Sequence, residues 1–191
     1  MMTAIPPTQD VPRAEMMKRV AFFADLVPIE DAFDDSVLPG CKRTALNILG
    51  FDAPEGAGEG TASPVGTASD GAAIQIFEGF NMAFLRCKPG NGTILHHHDT
   101  NETFMAISGT WRVHWNDEED EYVDLNPLDT ISLPASVSRR FYNLSNEDGD
   151  PEKESLLLGV IAGNGPRAFV RPEVLDAAKQ TGRYTPASNW E

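Results

Sequence analysis

The sequence has few basic residues and no long apolar run. Its 191 residues include 15 Lys and Arg against 29 Asp and Glu, which gives a formal net charge of −14. A surface this negative repels phosphate groups, so we expect neither nucleic acid nor an anionic membrane as a partner. No segment approaches the roughly 18 apolar residues that a membrane-spanning helix requires.

Cysteine is also scarce, which argues against a disulfide-stabilised fold. Only Cys41 and Cys87 occur, and residues 1–14 are polar, without the apolar core of an export signal. Two reduced thiols and a cytoplasmic location are therefore expected. The hydrophobic fraction of 41% is typical of a globular chain, and the length suits one domain with extensions.

The first part of the chain predicts little regular structure. We expect residues 1–40 to form an arm in which Pro12–Leu26 is helical, because apolar residues recur there at near-helical spacing. A strand over Arg19–Leu26 is the alternative, since aromatic and β-branched residues cluster there. Residues 42–51 predict a strand. Residues 53–73, rich in Gly, Ala, Ser and Thr, predict a flexible insertion, either a lid or an inert loop.

The pattern from Ala73 onward indicates an all-β fold. Short apolar runs alternate with turn residues at near-regular spacing, as in a β-sandwich or β-barrel. We expect the barrel to cover residues 41–165, with its core at 73–162. Residues 166–191 predict a C-terminal helix and tail, with the helix at Pro172–Thr181.

Three consecutive histidines are the strongest chemical signal in the sequence. Alternation along a strand places His96 and His98 on one face and His97 on the other. Glu102 follows four residues later. Two imidazoles and a carboxylate form a facial triad that suits a divalent metal such as Fe, Mn, Ni or Zn. The alternative is a fortuitous cluster in an exposed loop. We expect His114 to be solvated, away from this site.

The spacing around these histidines resembles the first motif of the cupin family, G-x5-H-x-H-x3–4-E-x6-G. Gly90, His96, His98, Glu102 and Gly109 fill every fixed position. The chain is similar to single-domain bacterial cupins of the RmlC-like superfamily. The resemblance implies an all-β, cupin-type jelly-roll β-barrel with short flanking helices, and a small-molecule cavity inside the barrel.

The second cupin motif, G-D-x4-P-x-G-x2-H-x3-N, is only partly present. Asp129, Pro134 and Asn143 match it, whereas Leu128 and Ser136 stand where the family has glycine. Arg139 stands where the family has its third metal-binding histidine. An arginine offers no lone pair, so it cannot replace that ligand.

Three roles for Arg139 are open at this point. It pairs with Glu102 so that no metal is needed, or it anchors an anionic substrate beside a three-ligand metal, or it turns outward as a structural residue. Strand alternation places Arg139 on one face with Phe141 and Asn143. We expect Phe141, Asn143 and Phe104 to line a substrate pocket.

Two functions from different classes fit these residues. The first is a metal-dependent enzyme that acts on a small organic anion in a dioxygenase-, lyase- or isomerase-like reaction, with Arg139 as its substrate anchor. The second is a non-catalytic module that binds a sugar or small metabolite, with or without metal. In either case we expect a homodimer formed through the N-terminal arm and an exposed apolar strand at Leu46–Phe51.

Overall fold

The computed structural model of the chain describes residues 5–30, 32–50, 63–65, 71–170 and 180. Within them β-strands are the main regular element. The ten strands are β1 (Thr44–Leu49), β2 (Phe80–Cys87), β3 (His97–His98), β4 (Glu102–Ala106), β5 (Thr110–Trp115), β6 (Glu121–Leu125), β7 (Thr130–Leu133), β8 (Arg139–Ser145), β9 (Ser155–Ala162) and β10 (Ala168–Phe169).

The strands form antiparallel sheets. The largest sheet has the order β1-β2-β9-β4-β7, a second has the order β6-β5-β8, and β10 pairs with β3. The all-β jelly-roll fold expected from the sequence is confirmed. β10 lies in the segment that the sequence assigned to the C-terminal tail, and it pairs with the strand that carries the histidines.

Helix is scarce in the described chain. An α-helix covers only Arg13–Met17, and 3₁₀ turns occupy Phe23–Asp25 and Asp34–Val37. The predicted helix over Pro12–Leu26 is therefore wrong in length, and the alternative strand does not form. None of the residues of the short helix is buried, and a helix without a packed face is marginal in water. No described helix has the length and apolarity to cross a membrane.

Two further sequence predictions concern segments outside the described residues. The predicted C-terminal helix at 172–181 lies outside them, apart from Gln180, as does most of the 53–73 insertion. The described part of the insertion at 63–65 includes Val65, which is buried and belongs to the hydrophobic core. This short piece therefore packs against the barrel.

The hydrophobic core lies between the two larger sheets. Alternate side chains of β4 and β8 point inward, and the rings of Phe104 and Phe141 meet edge to face with centroids 4.9 Å apart. Trp111 packs against Phe141 at 6.1 Å. Burial of each such ring contributes on the order of 1.5–3 kcal/mol, and the contact between Phe104 and Phe141 joins the two sheets.

The first strand does not have the exposed apolar face that the sequence suggested. Ala45 and Leu46 are buried because β1 pairs with β2 and packs on the core. That expectation for Leu46–Phe51 is therefore wrong over the described part of the strand. Exposed apolar side chains occur instead on the N-terminal arm, where Phe22 and Phe23 are more than half exposed.

The turns keep the backbone shape that the two sequence motifs imply. Gly109 has φ of 70°, and a Cβ there would lie 2.1 Å from Ser155 Oγ, so only glycine fits. Leu128 and Ser136, at the two positions where the second motif has glycine, also have positive φ, of 75° and 62°. The left-handed backbone is therefore retained without the residue that favours it.

Candidate metal centre

The histidine segment is held between two neighbouring pieces of chain. The His96 N–H donates to the carbonyl oxygen of Arg139 at 3.0 Å, and the Arg139 N–H donates to the carbonyl oxygen of His96 at 2.7 Å. His98 pairs with Ala168 of β10, and the Ser136 N–H donates to the His98 carbonyl oxygen at 2.8 Å. The backbone that carries both imidazoles is therefore fixed on both sides.

The three histidine rings separate as strand alternation predicts. The rings of His96 and His98 lie edge to face with centroids 4.9 Å apart, and His98 is almost fully buried. His97 points away and stacks on the ring of Phe169 at 5.2 Å. Only the first and third histidines of the run therefore face the same site.

Each of these two imidazoles is oriented by a backbone carbonyl. Nδ1 of His96 lies 2.9 Å from the carbonyl oxygen of Ile94, and Nδ1 of His98 lies 2.9 Å from that of Arg167. A carbonyl oxygen only accepts, so each Nδ1 carries a proton, and Nε2 is the ring nitrogen that can offer a lone pair to a cation. This is the orientation that metal-binding histidines require.

Glu102 completes the cluster from the first position of β4. Its Oε2 lies 3.3 Å from His98 Nε2, and one ligand atom from each of the three residues lies within 4.8 Å of the others. Among the described residues, His98 Nε2 and Glu102 Oε2 are buried and have no hydrogen-bond partner. Unmet buried polar atoms that converge on one point are the pattern that a bound cation would satisfy, so the residues fit a metal.

The protonation states of the cluster also suit a cation. Burial, reinforced by the nearby His98, lowers the pKa of His96 to about 3, so its ring is neutral at pH 7. Burial alone would raise the pKa of Glu102. Its interactions with His98 and Arg139 outweigh burial and hold the pKa of Glu102 below its usual value, so the carboxylate is charged.

Arg139 lies inside the protein beside Glu102. Its side chain is 0% exposed, which excludes the outward structural role considered from the sequence. Nε lies 3.7 Å from Glu102 Oε2, and one terminal nitrogen donates to the Pro134 carbonyl oxygen at 2.9 Å. Nε and the other terminal nitrogen have no hydrogen-bond partner within the part of the chain that the structure describes. The guanidinium therefore has Glu102 as its anionic neighbour.

A cavity of about 50 Å³ adjoins the cluster. His96, His98 and Glu102 line it together with Phe141, and residues Ser63 and Pro64 of the insertion also contribute. Of the other residues expected at a pocket, Arg139, Phe104 and Asn143 are buried but are not among those lining this cavity. Asn143 instead donates to the Cys87 carbonyl oxygen at 2.8 Å, a contact inside the barrel wall.

The sequence did not identify a second charged pair at this cavity. Asp35 and Arg43 line it as well, and both are more than nine-tenths buried. The available signal in the sequence was an arginine at the start of an otherwise apolar strand, but no residue next to it in the sequence indicated its partner.

His114 does not belong to this site. It lies on the face of β5 opposite Trp111 and Val113, where its ring stacks on the ring of Tyr142 with centroids 5.8 Å apart.

Comparisons with known proteins identify the fold. No protein-family model and no curated protein matches the sequence. A solved structure from Silicibacter pomeroyi, described as a sugar phosphate isomerase from a cupin superfamily, matches with a TM-score of 0.50 and 15% sequence identity. The match covers 79% of the present chain and 80% of the Silicibacter pomeroyi chain. A cupin-2 domain containing protein from Shewanella frigidimarina has a TM-score of 0.36 and 16% identity, over 47% and 76% of the two chains. Identities this low concern the fold alone.

Proposed function

Because the chain has the fold of the cupin superfamily, we propose that it is a metal-dependent enzyme that acts on a small organic anion. The observation that carries the proposal is the convergence of His96, His98 and Glu102, with unmet ligand atoms, at the wall of one cavity. These side chains would hold a divalent ion of Fe, Mn, Ni or Zn and leave coordination positions open. When bound, the ion supplies Lewis-acid polarisation of a ligand oxygen.

The buried charges support an anionic ligand. Glu102 is balanced by Arg139, and Asp35 is balanced by Arg43. A divalent ion therefore adds two positive charges that no side chain in this cluster offsets. Buried charge without a counterion is strongly unfavourable, and an anionic ligand would supply the missing negative charge. The cavity of about 50 Å³ holds roughly three to five water-sized groups, so the ligand is small.

The chain's own residues have separable roles in this proposal. Nε2 of His96, Nε2 of His98 and the charged carboxylate of Glu102 would hold the ion, and Phe141 provides an apolar wall. Arg139 as the substrate anchor stays a prediction. Its contacts support a narrower role, in which it positions the Glu102 carboxylate. Open positions on such an ion suit reactions of the dioxygenase, lyase or isomerase type.

A non-catalytic binding module is the second candidate, and one observation favours it. Arg139 lies 3.7 Å from Glu102, so the carboxylate has a cationic neighbour even without a metal. A barrel with this pair would bind a sugar or small metabolite by hydrogen bonds alone. The two candidates differ in turnover, and only the first one requires a metal; turnover and metal content are both measurable.

Metal content is the first test. Protein produced without a His tag and supplemented with Fe, Mn, Ni and Zn salts is analysed for bound elements, and close to one equivalent of one metal is expected. His96→Ala and His98→Ala should lose it, whereas the control His114→Ala should keep it. Less than about a tenth of an equivalent in the wild type would reject the metal site. Turnover of small carboxylic acids by the loaded protein then separates an enzyme from a binding module.

A further inference from the structure

A second polar group lines the cavity beside the metal ligands. Asp35 lies in the 3₁₀ turn Asp34–Val37 of the N-terminal arm, and Arg43 directly precedes β1. Arg43 is 8% exposed and Asp35 is 4% exposed. Both residues line the same cavity as His96, His98 and Glu102. The cavity therefore has two charged walls, of which only the histidine cluster enters the proposed function.

The Asp35–Arg43 pair is held in place by several contacts. One terminal nitrogen of Arg43 donates to Asp35 Oδ1 at 2.7 Å and to the carbonyl oxygens of Cys41 and Gly92 at 3.0 Å each. The guanidinium carbon lies 3.8 Å from the centre of the Phe33 ring. A guanidinium fixed by hydrogen bonds and stacking loses little entropy when it binds a ligand.

One residue links this pair to the metal ligands. The backbone N–H of Ile94 donates to Asp35 Oδ2 at 3.2 Å, and its carbonyl oxygen accepts from Nδ1 of His96 at 2.9 Å. Since both bonds involve the same residue, the carboxylate of Asp35 and the imidazole of His96 keep a fixed relation. A ligand that spans the cavity thus meets two groups at a defined separation.

The pair retains hydrogen-bonding capacity that these contacts do not use. In the described part of the chain, Nε of Arg43 is buried and has no hydrogen-bond partner. Among the described residues, Asp35 Oδ1 accepts from Arg43 and Oδ2 accepts from the Ile94 N–H, and a carboxylate oxygen can accept a second bond. The pair can therefore donate and accept at the same time.

The charges of the pair decide which ligand group suits it. A carboxylate would be repelled by Asp35, and an ammonium group would be repelled by Arg43. A hydroxyl group accepts from a guanidinium and donates to a carboxylate, so it satisfies both residues. We infer that the Asp35–Arg43 pair binds a hydroxyl group and that the ligand is a short hydroxycarboxylate, an inference that rests on the proposed function for its carboxylate end.

The test compares two acids that differ by one hydroxyl group, 3-hydroxypropionate and propionate. Calorimetric titration of the metal-loaded wild type should show an affinity for 3-hydroxypropionate about ten- to a hundredfold higher, as for a hydrogen bond to charged groups. The Asp35→Leu/Arg43→Met double variant replaces the buried pair by apolar side chains of similar size, which buried pairs often tolerate. It should bind propionate as the wild type does and lose the preference.

Two controls make the result specific. Arg140→Met removes an arginine that pairs with Glu119 on the outer face of β8, and it should keep the full preference. Arg43→Lys retains the positive charge without the planar guanidinium, and it replaces the double variant if that variant does not fold. Arg43→Lys should lose most of the preference for 3-hydroxypropionate over propionate. A preference that survives in these Arg43 variants would show that the hydroxyl group binds the metal, and this would overturn the inference.

The inference and the proposed function can fail separately. Equal affinity of the wild type for the two acids would overturn the role of the Asp35–Arg43 pair, even if metal and acid both bind. Absence of bound metal would reject the proposed function instead. The same two acids titrated into the metal-free protein would then still decide whether the pair recognises a hydroxyl group.

Discussion

The contact between Arg139 and Glu102 leads to a quantitative prediction about stability. Glu102→Gln removes the negative charge that lies 3.7 Å from Arg139 Nε and leaves a fully buried guanidinium without an anionic neighbour among its described contacts. Two unit charges at that distance attract by about 4 kcal/mol at an effective dielectric constant of 20. The amide of glutamine recovers part of this, so we expect the metal-free variant to lose about 3 kcal/mol of unfolding free energy.

The assay is a double-mutant cycle by urea unfolding of protein treated with a chelator. Arg139→Met in the Glu102→Gln background should recover stability, because it removes the uncompensated buried charge. The same cycle on Arg112 and Asp124, an exposed pair on the outer face of the three-stranded sheet, should show a much smaller coupling.

Two results would refute the pairing of Arg139 with Glu102. In the first, Glu102→Gln costs less than about 1 kcal/mol of unfolding free energy; in the second, the effects of Glu102→Gln and Arg139→Met add to within about 0.5 kcal/mol. Either outcome would mean that Arg139 is stabilised by groups other than Glu102, and its role as a positioning residue would then have no energetic basis.

Four further outcomes are expected. Arg139→His replaces a cation by a ligating imidazole, so metal affinity measured by chelator competition should rise, and unchanged affinity would count against a three-ligand site. Leu128 is exposed with φ of 75°, so Leu128→Gly should change unfolding free energy by less than about 1 kcal/mol, whereas the β-branched Leu128→Val should lower it by about 1–3 kcal/mol. The hydrogen bond from Arg112 lowers the pKa of Asp124 in the folded protein, so this carboxylate stabilises the fold at any pH above its pKa in the unfolded chain. Asp124→Asn should therefore lower the melting temperature at pH 7, but not at a pH below the lowered pKa of Asp124. Sedimentation at micromolar concentration should show a homodimer, and a monomer would reject that expectation.

The β-fold and the cluster of His96, His98 and Glu102 could be predicted because both depend on local patterns. Alternation along a strand fixes which of His96, His97 and His98 share a face, and it needs no knowledge of the neighbouring strands. The same rule places Arg139 on one face with Phe141 and Asn143, but it leaves open whether that face points inward; the burial of Arg139 decides this. The glycine positions of the second motif could not be judged in this way, because Leu128 and Ser136 adopt positive φ although their residue types disfavour it.

The remaining features depend on contacts between distant parts of the chain. Asp35 meets Arg43 through an irregular segment with no periodic pattern, so no local rule predicts the pair. The length of the N-terminal helix was overestimated because apolar spacing indicates a helix only if its apolar face has something to pack against. Phe22 and Phe23 lie in that segment and remain more than half exposed, so they bury too little surface to stabilise a helix beyond Met17.

The short pairing of β10 with β3 links the histidine site to hydrogen exchange in the C-terminal part of the chain. The carbonyl of Arg167 holds the His98 ring, and Ala168 pairs with the same histidine through the backbone. A ligand that binds His98 in this orientation therefore binds more tightly to chains in which β10 is in place. By thermodynamic linkage, the ligand lowers the equilibrium constant for opening of β10 by the same factor by which opening weakens its binding. Exchange rates of the β10 amides would thus report occupancy at a site to which those amides contribute no ligand atom.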